Sequence, residues 1–121
     1  MTHKRIFEAY KALLKLSQQD LPLKEAWGIA KLIDKLRPFW DFQMQEERKF
    51  LDKCEWTNTD GGIEFKKAED AEAFSKHIDE IMSLEDSVEF EPVKLSLSNG
   101  AKLSAHDIAA LDGFAEFTEG A

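Results

Sequence analysis

The sequence predicts an α+β fold: a long kinked helical hairpin, a small two- or three-stranded antiparallel sheet and a short C-terminal helix. Three observations predict it. Apolar residues recur at helical spacing over most of residues 1–56, turn residues cluster at 57–62, and residues 88–97 alternate apolar and polar side chains as strands do. No linker or internal repeat divides the chain, so we expect a single domain over residues 1–121.

The two helices of the predicted hairpin meet at Pro22. Thr2 can cap the first helix, which we expect to end near Gln19. The second should run from Pro22 to residue 56, because its apolar stripe keeps helical phase through Pro38. Proline costs about 3 kcal/mol inside a helix, so we expect either one helix kinked at Pro38 or two helices stacked nearly end to end. The stripe comprises Ile29, Ile33, Leu36, Trp40, Met44, Glu47, Leu51 and Cys54.

Short elements follow the hairpin. Residues 57–62 read TNTDGG, which predicts a turn, and residues 63–65 alternate as a short strand. Residues 67–84 return to helical spacing, with a narrow apolar stripe on an otherwise acidic helix. We therefore expect a strand and a third helix before the sheet region.

The last third of the chain predicts a hairpin and a closing helix. The strand at 88–97 should bulge at Pro92, and Asn99-Gly100 predicts a tight turn into a strand that returns from Lys102. Ser104 can cap the last helix, which should carry Ile108, Leu111, Phe114 and Ala115 inward, while residues 118–121 should fray.

Charge is distributed unevenly. Residues 1–60 hold eleven Lys/Arg and ten Asp/Glu, net +1, whereas residues 61–121 hold five and fourteen, net −9, giving −8 for the chain. A surface this negative repels phosphates, so direct nucleic-acid binding by the whole domain is disfavoured. The acidity either keeps the protein in solution or attracts a basic protein partner.

The N-terminal sequence predicts a cytoplasmic protein. Charges interrupt residues 1–19, so they form neither a signal peptide nor a membrane span, and we expect no membrane partner. The single cysteine, Cys54, cannot form an internal disulfide, and its place in the apolar stripe favours a reduced core thiol.

Motifs of catalysis are absent from the sequence. It contains no phosphate-binding loop, nucleophile elbow or zinc-type cysteine set, so we expect no enzyme, no cofactor and no metal. His77 and Glu80 have a spacing that a divalent ion can use, but two ligands are a weak signal, and a solvated histidine on an acidic helix is the favoured explanation. A small metal-dependent enzyme would require His77, Asp70 and a distant group such as His106 to converge.

Two segments are candidate partner-binding sites. The first segment carries aromatic side chains over a wider part of the helix surface than one packing contact requires, which indicates either core packing or an interface. Its residues are Phe39, Trp40 and Phe42. The second segment could be a solvated sheet edge or the electrostatic half of a binding surface. Its residues are Glu85, Asp86, Glu89, Phe90 and Glu91.

Four stretches resemble a family of short uncharacterised accessory proteins of tailed bacteriophages and prophages. They are LLKLSQQDLPLKEAWGIAKLIDKL, EERKFLDK, IDEIMSLEDSVEFEPVKLSLS and LSAHDIAALDGF, and together they span most of the chain. Phe39-Trp40 and residues 57–62 have no counterpart in the family's pattern. The resemblance implies a viral accessory or morphogenesis protein rather than an enzyme, and it brings no functional residues with it.

Two functions are therefore expected. The first is a non-enzymatic phage or prophage accessory protein that works in the host cytoplasm by contact with a protein partner or by self-association as an oligomer. The second is an anti-defence inhibitor whose acidic half mimics nucleic acid and occupies the groove of a host effector. The second requires the carboxylates of residues 69–80 and 85–91 to form one continuous exposed stripe.

Overall fold

The first two helices form the predicted hairpin. In the computed structural model, which describes residues 1–119, α1 spans His3–Ser17 and α2 spans Leu23–Leu51. Thr2 caps α1 by accepting a hydrogen bond from the Arg5 backbone N–H at 3.3 Å. The cap, the break near Pro22 and the pairing of the two helices are confirmed.

Helix α2 is continuous through Pro38. It holds 29 residues and includes the proline, which decides between the two expected arrangements in favour of one long helix. Burial along its stripe falls from one end to the other. Ile29 and Leu36 are fully buried, whereas Trp40 and Met44 are half-buried. The helix ends at Leu51, five residues before the expected end, so Cys54 lies outside it.

A two-stranded antiparallel sheet follows α2. Strands β1 (Trp56–Thr59) and β2 (Gly62–Phe65) pair around the Asp60-Gly61 turn, and the Thr59 hydroxyl donates to the Gly62 carbonyl at 3.1 Å. Strand β2 is confirmed. The sequence analysis assigned all of residues 57–62 to a turn, whereas Asp60-Gly61 alone makes the reversal.

Helix α3 (Ala68–Met82) packs at the edge of the core. Its start and end match the prediction, and Ile81 is its one buried residue. Phe74 contacts both neighbours, with ring centroids 5.4 Å from Phe50 of α2 and 5.2 Å from Phe65 of β2. A small aromatic cluster therefore attaches α3 and the β1–β2 sheet to the end of α2.

The expected hairpin after residue 97 is wrong. Strand β3 (Val93–Ser96) pairs in parallel with β4 (Ala115–Thr118), and α4 (Ala105–Ala110) lies between them in sequence. Asn99 does not begin a hairpin, because β4 and not the residues after Gly100 pairs with β3. The Asn99 side-chain oxygen accepts from the Ala101 N–H at 2.7 Å, and its amide donates to Glu25 at 3.0 Å.

The run from 88 to 92 and the C-terminus also differ from the prediction. Val88 and Phe90 pack on the core without joining a strand, and no strand returns at Lys102. Gly113, with φ of 83°, reverses the chain after α4, so Phe114 and Ala115 lie beyond the helix although both are buried. Of the residues expected to fray, 118–121, Thr118 is instead the last residue of β4, and residues 120–121 lie outside the described residues.

The core lies between α1, the first part of α2, β3 and the residues around Phe114. Ionic contacts hold α4 onto this core. Ser104 and Asp107 form the capping box of α4, and Lys15 of α1 donates to both Asp107 carboxylate oxygens at 3.0 and 3.1 Å. The hydrogen bonds from Lys15 lower the pKa of Asp107 below its ordinary value of 3.8.

This lowered pKa makes the contribution of Asp107 to stability dependent on pH. A carboxyl group whose pKa is lower in the folded state stabilises the fold above its unfolded-state pKa, and that contribution is lost as the pH falls through the folded-state value. We expect Asp107→Asn to lose more free energy of unfolding, relative to wild type, near pH 6 than near pH 3, as measured by urea unfolding. Asp41→Asn, which changes an exposed carboxylate on α2, is the control. An equal loss at both values would contradict the assignment.

Candidate protein-contact surface

His3 joins the two segments that the sequence analysis selected separately. Its Nε2 lies 2.7 Å from Asp86 Oδ2, while its ring meets the rings of Phe39 and Phe42 edge to face, with centroids 5.2 and 6.4 Å away. The residue is 7% exposed, and its Nδ1 has no hydrogen-bond partner among the described residues. His3 therefore contacts both the acidic segment and the aromatic residues of α2.

Backbone hydrogen bonds fix the acidic segment against the N-terminus. The His3 N–H donates to the Leu84 carbonyl at 2.8 Å, and the Asp86 N–H donates to the Met1 carbonyl at 2.9 Å. The Met1 ammonium group in turn donates to the Asp86 carbonyl at 3.2 Å. Residues 84–86 therefore lie beside residues 1–3 in a defined register, and Thr2 and Glu85 form an isolated antiparallel bridge.

These contacts bring apolar and acidic groups to one place, which we call the junction surface. The fractions exposed are 40% for Phe42, 45% for Leu84 and 36% for Met1, which is high for large apolar side chains. Glu85 and Asp86 are exposed beside them. The junction surface comprises Met1, His3, Phe39, Phe42, Leu84, Glu85 and Asp86.

Trp40 has a different environment from its neighbours. Its indole stacks on Phe7 of α1 with centroids 4.4 Å apart and planes 10° apart, and Tyr10 lies 5.0 Å away. Trp40 is half-buried in these contacts. The structure therefore gives it a role in packing the hairpin, and its role in partner binding stays a prediction.

The remaining acidic residues do not join the junction surface. Phe90 turns inward and stacks on Phe114, with centroids 5.0 Å apart and planes 1° apart. Glu89 is exposed, and Glu91 lines a separate cavity between α2 and β3. The predicted segment 85–91 therefore does not form one surface. Glu85 and Asp86 belong to the junction surface, Phe90 packs on the core, and Glu91 lines the cavity.

The residues considered for a metal site do not come together. His77 Nε2 lies 3.5 Å from Glu46 of α2 and stacks on Phe50, so its contacts are with α2. His106 is exposed on α4. Within residues 1–119, no group of three His, Cys, Asp or Glu side chains is placed to hold a metal ion. The convergence that a metal-dependent enzyme requires is not found in that part of the chain.

Cys54 is half-buried just beyond α2. Burial, together with the nearby Asp70 carboxylate, raises the pKa of its thiol. A raised pKa favours the protonated thiol. The predicted place of Cys54 in the core is wrong, because the chain leaves α2 at Leu51 and Cys54 lies outside the buried cluster.

Sequence reasoning missed His3, Met1 and Leu84. One signal could have identified His3: it precedes Ile6 by three residues and Tyr10 by seven, so it lies on the buried face of α1. Met1 and Leu84 carry no comparable local signal, because only the backbone pairing between residues 1–3 and 84–86 brings them together.

Comparison of the chain with protein-family models, with curated proteins and with solved structures finds no match. Among residues 1–119, no helix is both long enough and apolar enough to cross a membrane.

Substitution of Trp40 should lower the free energy of unfolding more than substitution of Phe42, because Trp40 packs on α1 and Phe42 is exposed. We expect Trp40→Ala to lower the free energy of unfolding by about 2–4 kcal/mol, because it removes the stack on Phe7 and the contact with Tyr10. Phe42→Ala should cost about 1 kcal/mol, since much of its ring is already in water. Chemical denaturation measures both values, and a larger loss for Phe42→Ala would refute the assignment.

Proposed function

We propose that this protein is a non-enzymatic accessory protein of a phage or prophage that acts in the host cytoplasm by contact with another protein or with a second copy of itself. The observation that carries the proposal is the junction surface, where exposed apolar side chains lie beside exposed carboxylates. Exposed apolar groups with a polar rim are typical of protein interaction sites.

The chemistry of the surface indicates the partner. Phe42, Leu84 and Met1 offer apolar area, so a partner should present apolar side chains that this area can cover. Glu85 and Asp86 stand beside them, and opposite charges across an interface favour association and exclude wrong partners. We therefore expect a protein surface with apolar residues flanked by lysine or arginine.

The junction surface is also held in shape before a partner binds. Backbone hydrogen bonds hold residues 84–86 on the N-terminus, and the His3 side chain contacts both Asp86 and Phe39. Groups that are ordered in the free protein lose less conformational entropy on binding. The resemblance of four stretches to phage and prophage accessory proteins supports the same function.

Replacement of Phe42 tests the proposal. We expect Phe42→Ser to weaken the contact about tenfold or more, because aromatic anchors dominate the energy of interfaces. Sedimentation velocity measures self-association, and affinity capture from phage-infected cells with quantitative mass spectrometry measures binding to a partner.

Leu97→Ser is the matched control. Leu97 is 66% exposed and lines a cavity with Leu16, at the opposite end of α1 from His3. Support requires an oligomer or an enriched protein that is retained by Leu97→Ser and lost with Phe42→Ser. If Phe42→Ser keeps every association of the wild type, or if the wild type associates with nothing, the proposal fails.

A second candidate function, the anti-defence inhibitor, is favoured by one observation. Exposed carboxylates follow one another along α3 and the segment after it, and none of them forms an ion pair within residues 1–119. Unpaired carboxylates at this density can stand in for phosphates in the basic groove of a nucleic-acid-binding effector. They are Glu69, Glu72, Asp79, Glu80 and Glu85; the run does not continue unbroken to Glu91, which lines the cavity between α2 and β3.

The inhibitor hypothesis predicts a charge-dependent rescue of phage growth. We expect expression of the protein to restore plaque formation on bacteria that carry a nuclease-based defence. A variant with four carboxylates changed to the matching amides should lose this rescue. The four are Glu69, Glu72, Asp79 and Glu80. Phe42→Ser should keep the rescue. Absence of rescue by the wild type, or full rescue by the amide variant, would exclude this function.

A further inference from the structure

A cavity between α2 and β3 is lined by four lysines. It has a volume of about 340 Å³, within the range of small-molecule sites. Lys24, Lys31 and Lys35 lie on one face of α2, at spacings of seven and four residues, and Lys94 projects from β3. One carboxylate, Glu91, shares the cavity.

The four lysines lack ionic partners of their own. None of their ammonium groups lies within 4.0 Å of a carboxylate oxygen in residues 1–119. Lys31 and Lys35 are one helical turn apart, where like charges are destabilising. A chain of net charge −8 thus gathers four of its sixteen Lys and Arg residues in one small cavity, and an anion would relieve their repulsion.

Part of the cavity lining is apolar, and we call it the apolar floor. It comprises Leu32 of α2 together with Phe90, Pro92 and Val93 from the segment that ends in β3. Gly28 allows the two walls to approach closely, because a Cβ atom at this position would lie 3.1 Å from Val93 Cγ1. A ligand that fits must therefore have an apolar part as well as negative charge.

An aromatic ring stands beside the lysines. The indole of Trp27 is 63% exposed, and the Lys31 ammonium lies 5.8 Å from its centroid. Exposed indoles next to cationic groups are suited to stacking on a flat ring of a ligand. The apolar part of the ligand is therefore best matched by a ring.

The cations of the cavity suit a phosphate. All those that line it are lysines, whose ammonium groups bind phosphate as point charges. A long nucleic acid would continue past the cavity onto the acidic surface near Glu89 and be repelled, while a small ligand stays within about 8 Å of the lysines, the screening length at physiological salt.

We infer that the cavity between α2 and β3 binds a small organic phosphate with two or more negative charges and a flat ring, of the nucleoside diphosphate type. The lysines hold the phosphates and the apolar part of the lining holds the ring, while Trp27 stands outside the lining, beside Lys31. This site is separate from the junction surface, and its occupation does not depend on the function proposed above.

Titration with three probes tests the site. ADP carries both parts of the ligand, pyrophosphate carries the charge alone, and adenosine carries the ring alone. NMR of the backbone amide resonances of the whole chain measures binding. We expect ADP to bind with a Kd of about 1 mM or lower, and the other two probes to bind about tenfold more weakly or not at all. Binding of ADP should weaken as salt rises.

Charge reversal provides the variants. The double variant Lys31→Glu with Lys35→Glu should weaken ADP binding about tenfold or more. Lys94→Glu, which changes the lysine that β3 supplies to the cavity, should also weaken ADP binding. Lys67→Glu with Lys76→Glu makes the same change in net charge at the N-cap and in the middle of α3. It should leave the Kd within about twofold, because both residues lie outside the cavity.

Three results would overturn the inference. The first is ADP failing to saturate the cavity resonances at millimolar concentration. The second is the α3 control losing as much affinity as the cavity variant. The third is pyrophosphate or adenosine binding as tightly as ADP, because this would show that only one half of the proposed ligand is recognised. If the double cavity variant does not fold, Lys94→Glu, on an exposed strand position, decides the outcome.

Discussion

The apolar seam between α1 and the first part of α2 is the contact on which the rest of the structure depends. Leu13, Leu16 and Leu36 are fully buried in it, and burial of side chains of this size contributes about 1.5–3 kcal/mol each. Leu95 of β3 and Phe114 complete the same core. Each element that reaches the seam has a buried residue, and the elements that do not reach it remain at the periphery.

Residues 44–80 form that periphery. None of them is buried, and Phe50, Phe65 and Phe74 hold α3 and the β1–β2 sheet in place by ring contacts. Regions with few buried apolar contacts open at lower free energy than the core. Both candidate binding sites belong instead to elements of the seam. The junction surface lies at the start of α1, and the lysine cavity lies on the first part of α2.

Charge separates these two sites. The net charge of −8 describes neither of them, because Glu85 and Asp86 give the junction surface a negative side while four lysines make the cavity positive. Interactions between exposed charges are screened within about 8 Å at physiological salt, so each site presents its own sign to a ligand. The sequence showed the acidity of the second half, but it did not reveal the lysines as a group, since Lys94 joins the other three only through the packing of β3 on α2.

The sequence by itself determined the three long helices, strand β2 and the caps at Thr2 and Ser104, because these features depend on residues within about one or two helical turns of each other. Only the tertiary structure decided the parallel pairing of β3 with β4, the meeting of His3 with Asp86 and the convergence of the lysines. Each of these joins residues that are distant along the chain. Local sequence patterns fix single helices and strands, whereas non-directional apolar burial decides which of these elements pack together.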